Sequence, residues 1–144
     1  MALTLSHAKF PETTIVHGQD ALVREFLTSA TLVAGQTVSF DSTQTGEAQM
    51  RHVVRGAAEG YVFGVALEAT GGTANETVRV LVGGYVQGVD STGGTALNAG
   101  DSVVAGGAGV VDEYAAGATD RVLAVCLDDE AGNAVTLYWF PSMI

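Results

Sequence analysis

Between Val78 and Val82 the chain reads Val-Arg-Val-Leu-Val, which puts three valines on one face of an extended strand and Arg79 and Leu81 on the other. Thr37-Val38-Ser39-Phe40 alternates in the same way. The runs "YVFGVALE" (61–68), "RVLAVCL" (121–127) and "NAVTLYWFP" (133–141) are short, β-branched or aromatic, and bounded by Gly, Asn or Asp. "ATGGTAN" (69–75) and "DSTGG" (90–94) are turn chemistry between them. One stretch reads two ways. In "DALVREFLTSA" (20–30), Leu22, Val23, Phe26, Leu27 and Ala30 recur at helical steps behind a candidate N-cap, Asp20, yet the segment leads straight into a turn and reads equally as a strand. Residues 1–19 have no clear period and contain Pro11, which predicts an extended arm ahead of a single β-rich domain over 20–144.

The phrase Leu-x-Ala-Gly-x-x-Val occurs twice, as Leu32–Val38 and, 65 positions on, as Leu97–Val103. Ala34-Gly35 and Ala99-Gly100 suit the two central positions of a type II turn, where Gly supplies the positive φ. Further blocks follow in the same order. Phe63-Gly-Val-Ala-Leu67 pairs with Leu123-Ala-Val-Cys-Leu127, and Val78 pairs with Val135. The spacing predicts an all-β domain of two related halves, with repeat units at about 32–84 and 97–141.

Composition narrows the function more than the fold. Of 144 residues 47% are apolar and 15% charged, with 19 glycines against two prolines, as in a globular chain of many short strands. The formal net charge is −10, and the arginines are spread thinly, so no direct nucleic-acid contact and no binding to an anionic membrane is expected. No apolar run approaches the length of a membrane-spanning helix, and "MALTLSHAKF" lacks the features of a secretory leader. With a single cysteine and no secretory leader, synthesis in a reducing cytoplasm is the expectation.

The candidate chemistry is sparse. His7, His17 and His52 are far apart and lack metal-ligand spacing. Cys126 sits inside an apolar run and reads as a small core residue. "DDEAGN" (128–133) could offer calcium carboxylates but fits an acidic hairpin turn as well, and "AGGAGV" (105–110) has no phosphate-loop Lys-Ser/Thr. Lipoyl- or biotinyl-type carriage needs a lysine in the repeat, and the one lysine, Lys9, lies outside both. No catalytic residue, metal site or cofactor is expected. "LYWFPSMI" (137–144) closes the chain with Tyr138, Trp139, Phe140, Met143 and Ile144, an apolar terminus of the kind that marks contacts. They are the expected oligomer contact, with Leu137 and Trp139 fitting equally as core of the last strand.

The order "FGVALEATGG", "ETVRVLVGGYVQG", "LNAGDSVVAGGAGVV", "RVLAVCLD" over about residues 30–140 resembles the small Gly-rich capsid decoration, or head-stabilising, proteins of tailed bacteriophages. The resemblance implies a compact β-barrel of the β-tulip kind and a non-enzymatic role. It implies a homotrimer on the outside of the assembled head, bound to the major capsid protein and resisting the pressure of packaged DNA. It also implies an N-terminal arm that adds to a capsid sheet, and Leu3, Leu5, Phe10, Ile15 and Val16 are the expected arm contacts. Two other readings share the composition: a virion fibre, tail or adhesion module that binds a receptor or glycan, and a small β-barrel enzyme using scattered acids.

Overall fold

The computed structural model describes residues 16–17 (backbone only), 21–57, 61–92, 96–115 and 120–140. Among them are ten strands and no α-helix: β1 (Val16–His17), β2 (Leu22–Thr28), β3 (Thr37–Phe40), β4 (Val53–Arg55), β5 (Val62–Ala66), β6 (Glu76–Asp90), β7 (Ser102–Ala105), β8 (Val111–Glu113), β9 (Ala124–Cys126) and β10 (Ala134–Trp139). The protein is all-β, and its strands form one curled sheet. The ambiguous segment 20–30 is a strand. β2 pairs with β6 from Leu22 opposite Gly83 to Thr28 opposite Glu76, and a helix there would leave one edge of that stretch of β6 without partners. Its alternation sends Phe26 and Thr28 inward.

The sheet path is β4-β3-β5-β6-β10-β9-β7-β8, with β1 and β2 also paired to β6. Read outward from the middle, the two sides have the same connectivity: β3 pairs with β4 and β5, and β7 pairs with β8 and β9. The duplicated phrase is what builds each side. Gln36 N–H donates to Val33 O at 3.1 Å and Asp101 N–H to Asn98 O at 3.0 Å, closing two type II turns with Gly35 at φ 95° and Gly100 at φ 94°. The side chain after each glycine folds back: Gln36 Oε1 accepts from Val33 N–H at 3.0 Å, and Asp101 Oδ2 from Asn98 N–H at 2.8 Å. Each turn then clamps the strand that follows in the sheet. Gly35 N–H donates to Ala66 O and Ala66 N–H to Gln36 O, while Gly100 N–H donates to Cys126 O and Cys126 N–H to Asp101 O.

The buried residues repeat position by position. One cluster holds Phe26, Leu32, Val38, Val53, Phe63, Ala66, Val78, Val80 and Val82. The other holds Val89, Leu97, Val103, Val111, Leu123, Cys126, Val135, Leu137 and Trp139 at the matching places. The unit therefore begins a strand earlier than the duplicated phrase: β2 opens the first unit, and the second half of β6 opens the second. β6 runs 15 residues because the last strand of one unit continues as the first strand of the next.

The units differ in how they close. In the first, Leu27 N–H donates to Arg51 O and Thr28 Oγ1 to Val53 O at 2.7 Å, so β2 seals against the start of β4. The second core is covered instead by the outer face of the first unit, since Val62, Val65, Leu67 and Leu81 belong to the same cluster as its nine positions. The arrangement is a head-to-tail stack inside one chain.

Candidate contact surfaces

β10 sets the first surface. Side chains alternate along a strand, so Trp139 and Leu137 point into the core while Tyr138 points out. The expectation that Trp139 contacts a neighbouring subunit is corrected here: its side chain is fully buried, and Nε1–H donates to Phe63 O at 3.0 Å inside the chain's own fold. Tyr138 and Phe140 are exposed, with ring centroids 6.3 Å apart. Tyr138 lies opposite Tyr85 on β6 and opposite Val125 on β9, and Leu127 stands exposed on the same side of the sheet. The result is an apolar, aromatic strip across three strands. Burial and the negative charge of Asp128 push the Tyr85 phenol up, so it stays a neutral hydrogen-bonding group here. Met143 and Ile144 lie outside the described residues.

The second surface is a groove of about 510 Å³ in the first unit, lined by Ser39, Phe40, Ser42, Gln49, Met50, Val54, Arg55, Ala57 and Tyr61. Two of its lining residues, Phe40 and Tyr61, continue an aromatic ladder that runs into the core. Phe26 meets Phe63 at 5.3 Å, Phe63 stacks on Phe40 at 4.3 Å, and Phe40 lies nearly parallel to Tyr61 at 6.4 Å. Arg121 places its guanidinium 4.3 Å from the Tyr61 ring centre and donates to Val62 O, which ties the second unit to the rim of the groove. Met50 and Tyr61 are the most solvent-facing apolar groups of the rim.

Several titratable groups brace the fold. Asp129 Oδ1 accepts from Ala99 N–H at 3.0 Å and Glu130 N–H donates to Leu97 O, so the "DDEAGN" acids brace the second turn. The Cys126 thiol donates to Asp128 O at 2.9 Å, and burial pushes it up, which keeps it neutral and weakly nucleophilic. His52 sits between Ala48 O and Asn75 Oδ1, where it pins the 46–52 loop. Among the described residues no group of three or more His, Cys, Asp or Glu could hold a metal ion, and no helix is long and apolar enough to cross a membrane.

Charge is divided unevenly. Arg24, Arg51, Arg55 and Arg79 all fall in the first unit, among Glu25, Asp41, Glu47, Glu68 and Glu76. The second unit carries Asp90, Asp101, Asp112, Glu113, Asp120, Asp128, Asp129 and Glu130 against Arg121 alone among its described residues. The acid-rich half is thus the half that bears the Tyr138 strip. Of the expected arm contacts, Leu3, Leu5, Phe10 and Ile15 lie outside the described residues. The backbone of Val16 is placed in β1, opposite Gln87 of β6.

Sequence reading missed Tyr85, Val125 and Leu127 as members of the strip, and Phe40, Met50 and Tyr61 as a groove. The strip was within reach of the repeat. Tyr138 occupies the place of Leu81 in the first unit, so an aromatic at a position that is buried in the sister unit was visible once the register was known. The groove was not, because its walls come from β3, β4 and the 42–50 loop at unrelated spacings.

These features define an all-β protein whose distinctive exposed parts are an aromatic strip on β10 and an aromatic-lined groove. No family model matches the chain, and no curated protein matches it in sequence. Among solved structures, the N base of the head fibre gp8.5 of bacteriophage phi29 shares the fold, with a TM-score of 0.59 at 15% identity, over 86% of this chain and 98% of that one. At that identity the likeness is one of architecture.

Proposed function

We propose that this chain is a structural, non-enzymatic protein of a tailed-phage head. It attaches to the outer surface of the assembled shell through the major capsid protein and stabilises it as a self-associated decoration module, a trimer in the form the sequence resemblance implies. The observation that carries this reading is the fold likeness to the phi29 head-fibre base, which extends over nearly all of that module. Cementing a shell needs buried area and strand edges and no reacting groups, and many weak contacts on a repeating lattice add avidity. The N-terminal arm, with Leu3, Leu5, Phe10 and Ile15, is the segment we assign to the capsid sheet, whereas the Val16 backbone pairs with Gln87 of the chain's own β6.

The same likeness favours a second reading, in which the domain is the head-proximal base of a fibre or adhesion module. The two differ in what is bound besides the head. Purified protein is co-sedimented with decoration-free heads, before and after expansion. Decoration gives saturable binding at a fixed ratio to capsid subunits, lost when residues 1–15, ahead of β1, are deleted. A fibre or adhesion base is told apart by binding of a receptor or glycan, which decoration does not require. Absence of binding to either form overturns both head readings.

A further inference from the structure

Leu81 of β6 lies between Val23 of β2 and Val65 of β5, and this cross-strand triplet is the outer face of the first unit. Leu81 and Val65 are wholly buried, because the second unit's core packs on them. The register places Tyr85, Tyr138 and Val125 as the matching triplet on the second unit. There the face is open: Tyr138 is 43% exposed, and Leu127 is 42% exposed where its counterpart Leu67 is 1%. A surface that mediates stacking in one unit has, among the described residues, no stacking partner in the other.

We infer that the Tyr138 face binds the Phe40–Tyr61 groove of a second copy of this chain, head to tail. Charge selects this arrangement over a face-to-face pair. Two Tyr138 faces brought together would oppose two acid-rich units, whereas the first unit offsets Glu25, Asp41, Glu47, Glu68 and Glu76 with Arg24, Arg51, Arg55 and Arg79, and Arg55 stands in the groove wall. The groove also offers apolar complement, since Met50 is 59% and Tyr61 54% exposed. A contact between two different patches is heterologous, so it closes into a ring when the rotation between copies permits and otherwise runs on as a filament. The inference rests on the self-associating part of the proposal above and is independent of head binding.

The test uses the full-length chain in solution without heads, with mass read by light scattering across a concentration series and fold checked by circular dichroism. The wild type is expected at a multiple of 14.7 kDa. Tyr138→Asp and Met50→Asp, both at exposed positions, are each expected to fall to monomer with an unchanged spectrum, and Thr73→Asp, exposed elsewhere, to match the wild type. Mixing the two monomeric variants is expected to give a dimer and nothing larger, since one intact face then meets one intact groove. A wild type that stays monomeric overturns the inference, the face then being covered by residues 1–15 or 141–144 or by another protein. An oligomer that survives Tyr138→Asp overturns it. So does one that survives Met50→Asp while Tyr138→Asp dissociates, which would mean a face-to-face pair.

Discussion

Trp139 and Tyr138 are neighbours in sequence with opposite duties. Trp139 fills the second core and gives Phe63 O its indole donor, so its replacement removes both volume and a buried hydrogen bond. Trp139→Phe is expected to cost about 2–4 kcal/mol in urea unfolding, from the cavity and the carbonyl left without that donor. Tyr138→Phe removes an exposed hydroxyl and is expected to change stability by less than about 0.5 kcal/mol. Asp41 offers a pH-linked test. Its Oδ1 accepts from Thr43 N–H at 2.9 Å and Thr43 Oγ1 at 2.6 Å, which holds its carboxyl below the usual aspartate value. A depressed folded-state value means stability that is present above the unfolded-state pKa and lost as pH falls through the folded one. Thr43→Val should bring the Asp41 titration back toward the ordinary value, read by carboxyl chemical shift. It should also reduce the loss of stability on acidification.

The element that organises the molecule is β6. Alternating valines at 78, 80 and 82 predict its first half, and that half behaves as expected. Its continuation through Gly83-Gly84 into Tyr85–Asp90 is decided by the partners it finds, β2 and β5 along one stretch and β10 along the next. Two glycines separate two kinds of constraint. Gly100 sits at φ 94° with open space around its Cα, so Gly100→Ala is expected to cost about 1–2 kcal/mol from the backbone conformation alone. Gly64 has no such φ, but an added Cβ would stand 2.5 Å from Val80 Cγ1 and 2.6 Å from Leu81 O, where β5 presses on β6. Gly64→Ala is expected to cost about 3 kcal/mol, since backbone must shift to admit it. Chemical denaturation of the two variants checks the order. The duplicated turn was legible because its chemistry is local; the strand identity of Leu22–Thr28 was not, because its apolar positions satisfy both periods and only the edge of β6 chooses between them.

At the level of the whole chain, the two units share a strand and a core. Val62, Val65, Leu67 and Leu81 of the first are buried only while the second is folded over them. Unfolding is therefore expected to be a single transition, with far-ultraviolet circular dichroism and Trp139 fluorescence superimposing across a denaturant series. Two separated transitions would mean that the units stand alone. Residues and spacing by themselves determined an all-β chain, two related halves and their type II turns, because each follows from period-two burial or from a glycine's φ within a few residues. They also presented the C-terminal aromatics as one apolar group. Only the tertiary structure divided that group, turning Trp139 inward and Tyr138 outward, and only it assembled the groove and the open face. Which outer face is covered depends on how one unit stacks on the other, and that contact lies between residues far apart in the chain.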